Sequence, residues 1–94
     1  LVQLDDPALA AEMIRDMSSA FEGIPQVRSW QVGPRIDMGR AGAPDWYTVG
    51  IVTQFDSVAD CKAYLEHPRH TALAAKWKPH WKRAEILDFG AVAP

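Results

Sequence analysis

Strand-like and helix-like stretches follow one another along this chain as strand, helix, strand, strand, helix, strand. That order predicts an α+β protein of the split βαβ, ferredoxin-like kind. The protomer is then βαββαβ, with one four-stranded antiparallel sheet and both main helices on one face. Two further observations support the class. The chain has 94 residues, enough for a single domain over 1–94 and too few for a second core. Hydrophobic residues make up 48% and charged residues 23%, a globular balance that excludes intrinsic disorder.

Each element has its own local reason. Leu1–Leu4 reads as a short strand. Asp5-Asp6-Pro7 then starts a helix, because an aspartate accepts from the free N–H groups and proline suits the first turn. Leu9, Met13, Ile14, Met17, Ala20 and Phe21 recur at helical spacing, with Glu12, Arg15, Asp16 and Ser19 on the other side. Gly23 terminates it, so the first helix spans Pro7–Glu22. Val27–Gly33 is strand-like, and Pro34 either ends it or sits on a sheet edge. The glycines and proline of residues 37–45 predict an exposed hairpin loop.

Trp46–Phe55 is the clearest strand. Tyr47, Val49, Ile51, Thr53 and Phe55 share one face, and Trp46, Thr48, Gly50, Val52 and Gln54 the other. Asp56-Ser57 caps a second helix with Val58, Cys61, Tyr64 and Leu65 as its apolar stripe. His67-Pro68 ends that helix, since the residue before proline avoids helical angles. Arg69–Lys78 resumes as a third helical piece, carrying Leu73 and Trp77 at i, i+4, until Pro79. Ala84–Phe89, closed by Gly90, is the expected last strand.

The last two strands carry apolar residues on both alternations, yet the helices cover one face. A second copy packed sheet against sheet is the simplest cover, so a homodimer is expected.

Other classes are excluded. A net charge of −2 argues against a global grip on nucleic acid. No apolar run approaches the ~20 residues that span a bilayer, so no membrane partner is expected. No secretory leader is visible, and a cytoplasmic location is the expectation. One cysteine, Cys61, allows no internal disulfide and no multi-cysteine zinc site; it reads as packing. His67 and His70 lack a cysteine or carboxylate pair to complete a ligand set, so neither a metal nor a cofactor is expected. The basic, Trp-containing run Lys76–Arg83 reads as a buried stripe with a solvated face. Gly39 and Gly42 lack the ending of a phosphate loop.

The residues also resemble a known family. Ile24-Pro25-Gln26-Val27 through Gly33 resembles the "I-P-G-V-x-x-x-x-x-G" entry to strand two of the stress-responsive A/B barrel (Dabb) domains. Tyr47-Thr48 through Phe55-Asp56-Ser57 resembles their third strand and helix cap. Tyr64-Leu65-Glu66-His67-Pro68-Arg69-His70 is similar to their "Y-x-x-H-P-x-H" stretch, and Ala84–Phe89 to their closing strand. The resemblance covers about residues 7–90 and implies a dimeric α+β barrel.

What it implies for function is twofold. Some members are stress-induced or structural proteins; others, distantly similar to this chain, are polyketide cyclases such as olivetolic acid cyclase. By that motif Tyr64 and His70 are the implied catalytic pair, with His70 as general base. The cyclase has a histidine early in strand three where this chain has Val49. The expected function is therefore a small dimeric Dabb protein of stress-response type, binding a small hydrophobic ligand between sheet and helices. His67, Trp30, Val49, Trp46 and Phe89 are its candidate pocket residues. The alternative is a polyketide-cyclase-like enzyme using His70 and Tyr64. A purely architectural role for the two histidines also stands: either ring can bond a backbone carbonyl freed by Pro68.

Overall fold

The computed structural model describes residues 1–90. Strand β1 is Val2–Leu4, followed by a 3-10 turn over Pro7–Leu9 and helix α1, Ala10–Glu22. The Asp6 carboxylate accepts from the Ala8 N–H and starts the turn, and the Gly23 N–H closes the far end of α1 on the carbonyls of Ala20 and Phe21. Strand β2 is Ser29–Pro34 and β3 is Val49–Gln54. Helices α2, Val58–Glu66, and α3, Pro68–Trp77, precede a 3-10 turn over Lys78–His80 and strand β4, Trp81–Ala84.

The four strands pair antiparallel in the order β2-β3-β1-β4, as the element order predicts. Val2, Leu4 and Val49 point from the sheet into a core filled by Met13, Met17, Ala20 and Phe21 of α1 and by Leu73 and Trp77 of α3. The α1 members are the stripe read from the sequence. Register places Trp30 opposite Thr53 and Val32 opposite Ile51, on the same helix-facing side as Val49. Pro34 lies on the edge strand β2, where a missing donor costs nothing to the ladder.

Three strands differ from expectation: β2 runs over Ser29–Pro34 rather than Val27–Gly33. β3 is shorter than Trp46–Phe55, because the register with β2 begins at Val49. The last strand is not Ala84–Phe89 but Trp81–Ala84. The 3-10 turn feeds the chain into β4 at once, and Trp81, Arg83 and Ala84 pair with Leu4, Gln3 and Val2. The Glu85 N–H still reaches the Leu1 carbonyl. Beyond it, no strand lies beside residues 86–90 among the described residues. Ile86, Leu87 and Phe89 are left 78%, 74% and 96% exposed.

The open face of the sheet also differs. Gln3, Gln31, Gly33, Gly50, Gln54 and Arg83 lie on it by alternation, and Val52 is its exposed aliphatic residue. Val52 and the Trp46 ring, stacked on Arg83, are the apolar groups over it, and Ile86, Leu87 and Phe89 put further exposed apolar surface in the tail after β4.

Candidate functional site

The junction between α2 and α3 is built by three residues. Pro68 opens α3 and has no N–H to give back to α2. The Arg69 N–H is taken by His67 Nδ1 at 3.1 Å, so His67 caps α3 with its side chain. The Leu65 carbonyl loses its helical partner in consequence, and His70 Nδ1 lies 3.1 Å from it. A carbonyl only accepts, so Nδ1 carries the hydrogen and the neutral ring presents Nε2 as a free acceptor. Arg69 of the same stretch lies across Gly23 at the end of α1, where a Cβ would come within 2.7 Å of its guanidinium. Glycine is what lets the cation approach the carbonyl end of that helix.

The His70 and Tyr64 rings meet at 4.5 Å between centroids. Tyr64 also packs on Phe55 at 4.9 Å and on Phe21 at 6.1 Å, and Phe21 reaches Trp30 at 6.3 Å. Helix α1, edge strand β2, the end of β3 and helix α2 thus supply one aromatic row that finishes at His70. Trp30 is its outer member, 37% exposed.

Burial sets the protonation of both polar members. It pushes the Tyr64 hydroxyl up to about 12, so the phenol stays a donor at neutral pH. Burial also pulls His70 below its ordinary 6.5, outweighing the carbonyl bond, which favours the cation; Lys78 adds to the lowering. His70 is therefore a neutral acceptor near pH 7.

This has a consequence for stability. The folded ring binds its proton less tightly than the unfolded chain does. The contribution is full above pH 6.5 and is lost as pH falls through 6.5 toward the folded value. The melting temperature should decline between pH 7.5 and 5.5, and decline less in His70→Asn, which keeps a donor for the Leu65 carbonyl. Equal slopes for the two proteins would contradict the assignment.

The other candidates lie elsewhere. Val49 is fully buried in the core at the opposite end of β3. Trp46 precedes that end, with the Arg83 guanidinium stacked 3.9 Å from its ring. Phe89 stands in solvent on the tail. Since β3 is six residues long, about 20 Å separates its two ends. Trp46, Val49 and Phe89 thus stand apart from the Tyr64–His70 end. Phe21 and Phe55 belong to that end and were absent from the sequence candidates. Both carried the signal of an apolar face, but nothing local said that α2 would meet them. Among the described residues no cluster of three or more His, Cys, Asp or Glu could hold a metal, and no helix is long and apolar enough to cross a membrane.

Residues 2–91 match the stress responsive A/B barrel domain, Dabb, nearly the whole chain. The chain belongs to the Dabb family. Solved structures agree with this Dabb fold. A crystal structure of an Arabidopsis thaliana protein superposes with a TM-score of 0.82 at 18% identity, covering 100% of this chain and 92% of that one. A dimeric ferredoxin-like protein of unknown function from Thermobifida fusca gives 0.72 at 24% identity, covering 88% and 77%. A dimeric protein of unknown function and ferredoxin-like fold from Bacteroides fragilis gives 0.66 at 22%, covering 88% and 82%. No curated protein matches the Dabb chain by sequence.

Proposed function

We propose that this Dabb domain works as a homodimer that binds a small hydrophobic, planar molecule between sheet and helices. The ligand stacks on the exposed Trp30 ring, which buried Phe21 supports from below, with Tyr64 and His70 as the polar end. The observation that carries this reading is the aromatic row itself: it is open at Trp30 and closes on a neutral imidazole whose Nε2 has a free lone pair. The dimeric description of the two bacterial structures supports the homodimer. The free thiol of Cys61 fits a reducing compartment such as the cytoplasm, and the family's description supports a stress-response role.

A second reading is favoured by the 4.5 Å Tyr64–His70 contact. In a polyketide-cyclase-like reaction, His70 Nε2 removes a proton next to a carbonyl and the Tyr64 hydroxyl donates to the enolate oxygen. The buried core position of Val49 offers no second polar group to this chemistry.

Titration with 1-naphthol, followed by NMR, tests the first reading. Shifts should concentrate on the Trp30 indole and the His70 ring, and Trp30→Ala should weaken binding by at least about 10-fold. Shifts confined to Trp46 and the tail would overturn it. For the second, His70→Gln should abolish turnover of a linear poly-β-ketone thioester while 1-naphthol still binds. Unchanged turnover would remove His70 as base.

A further inference from the structure

Helix α2 is held more lightly than its neighbours. Helix α1 buries Met13, Met17, Ala20 and Phe21, and α3 buries Leu73 and Trp77, but α2 buries no residue. Val58 and Leu65, seven apart on α2, are exposed. Tyr64 is the α2 side chain packed against the buried core, with its ring on Phe21 and Phe55. Each end of α2 is a single extended residue, Ser57 at φ −153°, ψ 163° and His67 at φ −64°, ψ 138°. Residues that end an element in this way can absorb a hinge rotation. At the second end His67 and Pro68 serve α3, the one as its cap and the other as its first residue. The hydrogen bond from His70 Nδ1–H to the Leu65 carbonyl, at 3.1 Å, then ties α2 to α3.

The proposed ligand site is sealed at this helix. Phe21 is 2% exposed, and the Tyr64 ring lies on Phe21, Phe55 and His70 together. Cavities of about 490 and 360 Å³ lie elsewhere, within residues 35–47 and between α1 and α3. A planar molecule can meet Trp30 from outside, but it passes between sheet and helices only when Tyr64 moves away. Tyr64 rides on α2. Phe21 belongs to α1, Phe55 precedes the Ser57 end, and His70 belongs to α3, whose Leu73 and Trp77 fix it in the core.

We infer that helix α2 is a lid over the aromatic row, hinged at Ser57 and His67 and latched by the His70–Leu65 hydrogen bond. Opening lifts Tyr64 off Phe21 and Phe55 and admits a planar molecule, while His70 stays in place on α3. Closure returns the Tyr64 ring and hydroxyl to the bound molecule and excludes water from it. Such motions run on microsecond and longer timescales, and a helix with few buried contacts opens at the lower end of a domain's stability range. The inference rests on the ligand reading above and adds how the ligand enters.

Amide hydrogen exchange on the intact chain, read by NMR with and without 1-naphthol, tests it. The amides of residues 62–66, which close the hydrogen bonds of α2, should exchange at least about 10-fold faster than those of residues 72–77 in α3. Saturating 1-naphthol should slow the α2 amides by about 10-fold or more, and by a larger factor than those of α3. Without ligand, His70→Ala should speed α2 exchange about 5-fold beyond His70→Asn, which keeps a donor for the latch. Three results overturn the lid and leave the ligand reading standing: equal exchange in α2 and α3, α2 amides that stay fast once the Trp30 and His70 shifts are complete, and equal α2 exchange in the two His70 variants. Absence of any 1-naphthol shift at Trp30 and His70 overturns the ligand reading, and the lid with it.

Discussion

Trp77→Ala is expected to lower the free energy of unfolding by about 3–5 kcal/mol. The indole is 1% exposed and closes the core between α3, α1 and the sheet, so its loss leaves a cavity that Leu73 and Met13 cannot fill without shifting. Small domains hold only about 5–15 kcal/mol in total, so this one change removes a large share. Part of the effect is polar. Trp77 Nε1–H donates to Asp16 Oδ2 at 2.9 Å, and Lys76 Nζ donates to the same oxygen at 2.6 Å. The Lys76 bond, helped by the indole, holds the Asp16 carboxyl below its ordinary range. Trp77→Phe keeps most of the apolar body but removes the donor, and should cost about 1–3 kcal/mol. Asp16→Asn, which still accepts from the indole, should cost less than Asp16→Ala. Urea denaturation of the four variants measures the series. A loss below about 1 kcal/mol for Trp77→Ala would mean that the core does not depend on this ring.

Phe21→Ala is the second large effect, again about 3–5 kcal/mol, and it reaches the candidate site as well. Phe21 is buried at the last turn of α1, and its ring packs against both Trp30 and Tyr64. Its removal takes away the common support of the aromatic row. Nuclear Overhauser contacts between Tyr64 and Trp30 neighbours should weaken, and 1-naphthol binding should fall with stability. Phe21→Leu retains most of the volume and should cost less than about 1.5 kcal/mol, but it loses the tilted ring contacts with Trp30 and Tyr64 and should still weaken binding. If Phe21→Leu binds 1-naphthol as the native chain does, the row is packing rather than a ligand surface.

Much of the fold was legible because it is local. The α1 stripe from Leu9 to Phe21 with Gly23 at its end, the Ser57 cap and the His67-Pro68 break each follow from backbone rules that act within a few residues. The family likeness was legible for the same reason, since its most specific stretch is that break. Strand β4 was misread because Ile86, Leu87 and Phe89 look more strand-like than Trp-Lys-Arg-Ala. A strand, however, forms where a partner backbone lies, and Leu1–Leu4 lies beside residues 81–85.

The candidate site divides along the same line. Tyr64 and His70 stand six residues apart, and their types and motif were visible in the chain. That His70 offers Nε2 rather than Nδ1 depends on the Arg69 N–H going to the His67 ring, which leaves the Leu65 carbonyl to His70 Nδ1. That Phe21 and Trp30 extend the row, while Val49 sinks into the core and Phe89 stands clear, depends on strand register and on which face the helices cover. A residue's own sequence neighbourhood decides its secondary structure and its chemistry. Its surroundings are decided by segments distant in sequence, and only the packed chain brings those together.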